Sequence, residues 1–124
     1  MTDFIKNSQS AEDYLESLLL ISNEQGFAHR IEIAKKMCVS QAAVNKAIKI
    51  LLEKGYVTEV GKHLYLTDLG KAEATAIFEK HCIIRKFLLS LGASEQTAED
   101  DACKMEHLIS NETFELIKKQ VENN

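Results

Sequence analysis

Residues 30–54 read RIEIAKKMCVSQAAVNKAIKILLEK, and this stretch decides the fold. Its first part predicts a short helix over Arg30–Met37, which is followed by the turn residues 38–40 and by a second helix over 41–54. Ser40 suits the N-cap of the second helix and Gly55 its end. One face of that helix carries apolar residues at helical spacing: Val44, Ala47, Ile48 and Leu51. Two helices joined by a three-residue turn are typical of a helix-turn-helix motif.

The residues that follow this motif predict a β-hairpin. Val57–Val60 and His63–Leu66 are short β-prone runs, and the Gly61-Lys62 pair between them suits a two-residue turn with glycine first. A helix-turn-helix followed by a hairpin indicates a winged helix-turn-helix, which is a DNA-binding fold.

The rest of the chain is expected to be helical. A first helix is predicted from Ala11 to Asn23 with Ser10 as its N-cap, and three more are predicted from Thr67-Asp68 to Ser90, from Ser94 to Ile109, and from Ser110 to the C-terminus. The expected fold is mainly α. A winged helix-turn-helix domain would cover residues 1–71, and a helical metal-binding and dimerisation domain would cover 72–124. Dimerisation is expected because the later helices carry more apolar residues than so short a segment can bury alone: Ile83, Phe87, Leu88, Phe114, Leu116 and Ile117.

Charge divides the chain into three parts. Residues 27–71 have eight Lys or Arg against four acids, whereas residues 1–26 and 72–124 each have a net charge of −4. The basic middle suits a phosphate-binding surface, and the acidic ends suit a cation-binding one.

The three cysteines are odd in number and widely spaced, which fits a reducing compartment. With no apolar run of membrane length and no signal-like start, a cytoplasmic protein without a membrane partner is expected.

The second helix of the motif carries side chains suited to DNA. Amide groups can hydrogen-bond to base edges, and lysine ammonium groups can bind phosphates. The N-terminal end of a recognition helix lies nearest the bases. We therefore predict DNA contacts from Ser40, Gln41, Ala42, Asn45, Lys46 and Lys49, and from Lys62 at the hairpin tip. His29 and His63 are interpreted as ordinary histidines and not as ligands.

Residues 103–107, Cys-Lys-Met-Glu-His, carry a possible metal-binding pattern. On a helix, Cys103, Glu106 and His107 share one face and offer a thiolate, a carboxylate and an imidazole. Asp13 and Glu16 repeat this spacing on the first helix, and His81 lies on an apolar stripe of the fourth. Taken singly, these residues are ordinary: a small buried cysteine, a satisfied core histidine and surface acids. Their conjunction favours a divalent cation, because adjacent buried carboxylates need compensation.

The chain resembles the diphtheria toxin repressor and manganese transport regulator family of metal-dependent repressors. The resemblance covers nearly the whole chain and rests on residues 11–16, 33–46, 51–57 and 66–71, the His81 helix, and the most specific motif, Asp101–Ser110. It implies homodimers with a winged-helix domain and a helical dimerisation domain. It also implies ligand roles for Asp13, Glu16, His81, Cys103, Glu106 and His107.

Three positions depart from the patterns of that family. Manganese-type members usually have glutamate where this chain has Cys103. Iron-type members have cysteine there, but methionine at the position of Asp13 and, for their ancillary site, an acid at the position of Arg85. A thiolate among carboxylates and imidazoles leaves Fe(II) or Mn(II) as the expected ion, with Zn(II) or Co(II) as competitors.

The expected function is a transcriptional repressor that binds double-stranded operator DNA as a homodimer when loaded with metal. No enzyme activity and no small organic substrate are expected, because a Cys-His enzyme would need an acyl-binding cleft and oxyanion donors that the sequence does not offer. One alternative is a winged-helix transcription factor with a structural zinc and a different inducing signal. Another is a helical interaction protein that does not bind DNA.

Overall fold

The structure, a computed structural model, describes residues 11–123. Six helices and one two-stranded sheet occur in this range: α1 Ala11–Gln25, α2 Arg30–Met37, α3 Gln41–Glu53, β1 Val57–Val60, β2 His63–Leu66, α4 Asp68–Ser90, α5 Glu95–Leu108 and α6 Asn111–Glu122. The mainly α fold class is therefore confirmed. The proposed N-cap, Ser10, lies outside the described residues. None of the helices between residues 11 and 123 is long and apolar enough to cross a membrane.

The chain divides into two compact units, residues 1–75 and 76–124. The two units separate inside α4, between residues 75 and 76. The domain boundary predicted from the sequence, after Lys71, lies in the same helix. Within the N-terminal unit, α1, α2, α3 and the hairpin enclose a core of fully buried apolar side chains: Leu15, Leu18, Ile33, Val44, Ile48, Leu51 and Leu64. Burial of such side chains contributes about 1.5–3 kcal/mol each to stability. The hydrophobic spacing of α1 and α3 is therefore what assembles this unit.

The turn between α2 and α3 has a feature that the sequence did not indicate. Ser40 caps α3 as predicted, and its hydroxyl accepts a hydrogen bond from the Ala43 backbone N–H at 3.1 Å. Cys38 ends α2 in the left-handed conformation, with φ of 56°. Glycine is the usual residue at such a position because it has no Cβ. The turn forms here because Cys38 and Val39 donate their backbone N–H groups to Lys35 and Ala34 carbonyls.

The hairpin forms with the predicted register. Val60 pairs with His63, and Gly61 between them has φ of 62°, so glycine stands first in a two-residue turn. Leu64 also exchanges two backbone hydrogen bonds with Ala28, at 3.0 and 2.8 Å. The wing is therefore attached to the segment between α1 and α2 as well as to its own partner strand.

The C-terminal unit contains the rest of α4 together with α5 and α6. Ser94 and Ser110 cap α5 and α6 through the backbone N–H groups of Thr97 and Thr113, as the sequence predicts. Its buried apolar residues include Ile84, Ala98, Ala102 and Ile117. Ile117 is thus covered by the chain itself. Leu91, Leu108 and Leu116 are 59–68% exposed, so this unit keeps an apolar surface.

The entry into α4 is fixed by Thr67 and Gly70. The Thr67 hydroxyl donates to the Gly55 carbonyl and accepts from the Gly70 backbone N–H at 3.0 Å, and the Thr67 N–H donates to the Tyr56 carbonyl. A Cβ atom at position 70 would collide with the backbone carbonyl of Tyr56. This position therefore requires glycine for space and not for an unusual φ.

Gly70→Ala should destabilise the fold by about 1–3 kcal/mol, because the new methyl group forces the Tyr56 backbone to shift. The midpoint of urea unfolding measures this loss. Lys71→Ala, at an exposed position one residue later, is the control and should stay close to the parent. A Gly70→Ala protein with the parent's midpoint would contradict the close approach of α4 to Tyr56.

Candidate metal centre and nucleic-acid interface

The predicted DNA-contacting residues share the exposed side of α3. Gln41, Ala42, Asn45, Lys46 and Lys49 are exposed, while the apolar positions of the same helix are buried. Ser40 at the N-cap and Lys62 at the hairpin tip are exposed as well. The structure thus gives one polar face at the recognition helix. DNA contact by each residue stays a prediction.

Asn45 has a partner that the sequence did not reveal. Arg30, the first residue of α2, donates from Nη1 to Asn45 Oδ1 at 2.9 Å. The same guanidinium donates to both oxygens of Glu59 on β1, at 2.9 and 3.0 Å from Nη2. Because a cation faces Oδ1, the amide of Asn45 keeps its NH2 group as the donor for a base. Only the tertiary fold places these three side chains together.

The two histidines of the wing region belong to a group of rings. His63 stacks on Phe27 with ring centroids 4.1 Å apart, and His29 lies 4.8 Å from His63. The Tyr65 hydroxyl lies 3.4 Å from His63 Nδ1. Both histidines thus have aromatic neighbours, and the interpretation of His29 and His63 as ordinary histidines and not ligands stays a prediction.

The predicted ligands of the C-terminal unit converge around His81. This residue lies on α4 and is only 6% exposed. Its Nδ1 lies 3.1 Å from Glu106 Oε2 and 3.8 Å from Cys103 Sγ, both on α5. One imidazole, one carboxylate and one thiol therefore meet at the Nδ1 side of the ring. These are the three donor types expected from the sequence.

Glu99 is a further acid at this centre, and sequence reasoning missed it. Its Oε1 lies 3.0 Å from His81 Nε2, on the side of the ring away from Glu106. The ligand atoms of His81, Glu99 and Cys103 lie within 4.8 Å of one another. The spacing of Glu99 and Cys103, four residues apart on one helix, was the signal that could have identified it.

Glu106 is the buried charge of this centre. It is 3% exposed, and its Oε1 has no hydrogen-bond partner among the described residues. His107 Nε2 lies 3.2 Å from that oxygen as an ion-pair partner, outside hydrogen-bond geometry. A buried carboxylate oxygen without a donor is costly unless a cation approaches it. The donor set and this oxygen therefore fit a divalent metal ion.

Proton affinities at the centre reflect the same charges. Contacts with Cys103 and then Glu106 raise the pKa of His81 to about 11, against the opposing effect of burial. Burial would raise the pKa of Glu106, but the rings of His107 and His81 outweigh it and lower that pKa below the ordinary carboxyl value. In the metal-free protein an imidazolium thus supplies part of the positive charge that the carboxylate needs.

Asp13 and Glu16 lie one turn apart on α1, in the N-terminal unit, and both are partly buried. Their spacing on a single helix is as predicted. Their role as ligands stays a prediction, as does that of His107.

Two family models match the chain. One, described as "Iron dependent repressor, N-terminal DNA binding domain", matches residues 6–63. The other, described as "Iron dependent repressor, metal binding and dimerisation domain", matches residues 67–124. The chain belongs to the iron-dependent repressor family. It is a metal-dependent transcriptional repressor, and the structural-zinc alternative is not favoured.

Named relatives and solved structures agree with this family. The repressor is 40% identical over 114 residues to an uncharacterized HTH-type transcriptional regulator of Methanocaldococcus jannaschii, covering 90% of this chain and 91% of that protein. It is 34% identical to the transcriptional regulator MntR of Escherichia coli O6:H1, covering 86% of this chain and 70% of MntR.

The similar solved structures include several with bound metal. A manganese-dependent transcriptional repressor in complex with manganese has a TM-score of 0.81 and 27% identity, with 90% of this chain and 52% of that chain covered. ScaR with bound Zn²⁺ has a TM-score of 0.76 and 29% identity, with 94% and 55% covered. The repressor thus spans about half the length of these two solved chains.

Metal binding at His81 should release a proton and should strengthen as the pH rises. The ring, whose pKa is about 11, is protonated at neutral pH in the metal-free protein, whereas a ligand imidazole must be neutral. Calorimetric titration with Co(II) in buffers of different ionisation enthalpy should show about one more proton released per ion than in His81→Ala. Equal proton release in the two proteins would show that His81 is not a ligand of the metal.

The raised pKa of His81 also affects the stability of the metal-free fold. The imidazolium contacts stabilise this fold fully below the unfolded-state pKa of His. That contribution is lost as the pH rises toward 11, the folded-state value.

Proposed function

We propose that the repressor binds operator DNA as a homodimer when Fe(II) or Mn(II) occupies the centre around His81, with Zn(II) and Co(II) as competing ions. The observation that carries this proposal is the meeting of His81, Cys103 and Glu106, with a buried Glu106 oxygen that has no hydrogen-bond donor in the part of the chain that the structure describes. The match to a metal-binding and dimerisation domain supports it.

The donor chemistry supports a transition metal and not calcium or magnesium. A thiolate and an imidazole are softer donors than the all-oxygen sets that Mg²⁺ and Ca²⁺ prefer. Carboxylates still suit manganese and iron, whereas Cys103 moves the preference toward iron, cobalt and zinc. The metals named with related structures, manganese and zinc, span the same range.

The proposed ligand set extends to His107, Asp13 and Glu16. His107 is the neighbour of Glu106 and its ion-pair partner. Asp13 and Glu16 repeat the i, i+3 spacing on α1, and the family resemblance assigns the same roles. A divalent ion would compensate the negative charge of these carboxylates. Because α1 belongs to the DNA-binding domain, its acids would couple ion binding to the placement of α3 in the dimer.

DNA recognition is proposed for the exposed side of α3 and for the hairpin tip. Gln41, Ala42 and Asn45 would face bases near the N-terminal end of the helix, and the three lysines at 46, 49 and 62 would bind phosphates. Two copies of α3 in a dimer would enter successive major grooves about 34 Å apart. The exposed leucines of the C-terminal unit are the proposed contact with the second copy. Operator binding requires the compartment that contains the DNA, so we propose a cytoplasmic location.

Ion-dependent activation is tested by titrating the metal-free protein with Mn(II), Fe(II), Co(II) and Zn(II) while operator binding is measured. Glu16→Gln should weaken this activation because it removes charge and keeps size. The dimer should stay folded, since a partly exposed acid contributes little to stability by itself. Glu24→Gln, at an exposed position near the end of α1, is the matched control. If Glu16→Gln keeps the parent's metal dependence, α1 has no part in the switch.

Different residues of α3 should determine the affinity for DNA and the preference for a base sequence. Lys49→Ala should lower the slope of log K against log salt by about one unit per subunit and leave the preferred operator unchanged. Asn45→Ala should relax preference at one base position per half-site, where its NH2 group would meet an acceptor. A panel of operators with single base-pair changes measures both effects. An unchanged salt slope for Lys49→Ala would place the phosphate contacts elsewhere.

A further inference from the structure

His81 has a carboxylate at each of its ring nitrogens. Nδ1 lies 3.1 Å from Glu106 Oε2, and Nε2 lies 3.0 Å from Glu99 Oε1. The two acids differ in environment, because the side chain of Glu106 is 1% exposed and that of Glu99 is 48% exposed. A neutral imidazole carries its proton on one nitrogen and its lone pair on the other. A neutral ring that binds an ion through one nitrogen can therefore donate a hydrogen bond only from its other nitrogen, and so to only one of the two acids.

Both oxygens of Glu99 are engaged. Oε2 lies 3.3 Å from Nε of Arg85, which is four residues after His81 on α4. Glu99 thus connects two side chains that stand one turn apart on the same helix. The guanidinium of Arg85 places a fixed positive charge against this acid, and a second cation at Glu99 would be repelled by it.

We propose that Glu99 is a positioning residue: it accepts a hydrogen bond from His81 Nε2–H, directs the Nδ1 lone pair toward Cys103 and Glu106, and is itself held by Arg85. This inference rests on the proposed function, since it concerns the same metal centre. Ligand histidines commonly donate their other N–H to a carboxylate, which fixes the tautomer and the ring orientation. The ion coordinated by His81 would accordingly lie on the Nδ1 side of the ring.

The other possible role for Glu99 is that of a ligand, together with His81 and Cys103, whose ligand atoms lie within 4.8 Å of its own. Two observations oppose that role. Cys103 Sγ lies next to Nδ1, at 3.8 Å, whereas Glu99 lies at Nε2, and the two nitrogens of an imidazole direct their lone pairs apart. Arg85 also occupies the second oxygen of Glu99.

Co(II) titration of the purified protein tests the inference, because the cobalt–thiolate charge-transfer absorption and the ligand-field bands report the ligands directly. Glu99→Ala should lower Co(II) affinity about 10- to 100-fold while the spectrum of the saturated protein stays the same. Glu99→Gln keeps an acceptor oxygen for Nε2–H and should bind close to the parent's affinity.

Glu95→Ala is the matched control, since it removes an exposed acid one turn earlier on α5 and should leave Co(II) affinity unchanged. The inference would be overturned by a Glu99→Gln protein that binds Co(II) as weakly as Glu99→Ala, or by altered ligand-field bands in either variant. A Glu99→Ala protein equal to the parent would also overturn it, and metal activation of operator binding would still stand. A parent that binds no Co(II) would instead remove the proposed function together with this inference.

Discussion

Glu106 is a carboxylate at 3% exposure, and the metal centre depends on the compensation of its charge. Removing such a group from water is unfavourable unless hydrogen bonds and opposite charges replace the lost solvation. The fold supplies imidazole rings at both oxygens, with His81 at Oε2 and His107 at Oε1. The compensation is incomplete, because Oε1 accepts no hydrogen bond from residues 11–123. Incomplete compensation of this kind would favour the binding of a cation.

The buried charge of Glu106 also leads protons and metal to compete for His81, because the carboxylate favours a positive charge on the ring as it favours a bound ion. When His81 is protonated, its positive charge lies where an ion would be coordinated, so each bound ion must displace a proton. A soft donor, Cys103, lies beside the same nitrogen. On the proposed ligand set, the centre would select against hard ions by its donor types, and its affinity for metal would fall in acid because protons compete for His81.

Much of the fold could be predicted from the sequence, because strong local patterns set it. The apolar spacing of α3, the serine caps and the glycine-first turn each fix local structure without help from distant residues. The left-handed Cys38 could not be predicted, since cysteine has no preference for that conformation and the surrounding hydrogen bonds impose it. The close approach of Gly70 to Tyr56 likewise depends on packing between segments that are far apart in sequence.

At the metal centre, the helical spacing of Cys103, Glu106 and His107 was visible in the sequence. Glu99 and Arg85 were not assigned to the centre, because acids and arginines on a helix are common and only the packing of α4 against α5 within the C-terminal unit brings them to His81.

The contact between Arg30 and Asn45 has a consequence for the entropy of recognition. An exposed asparagine normally samples several rotamers, and binding a base restricts it to one. Here the guanidinium, itself held by both oxygens of Glu59, restrains the amide already in the DNA-free protein. The loss of rotamer freedom therefore occurs when the domain folds and not when DNA binds. If Asn45 contacts a base as proposed, this preorganisation would lower the cost of association and would make a mismatched base harder to accommodate by side-chain adjustment.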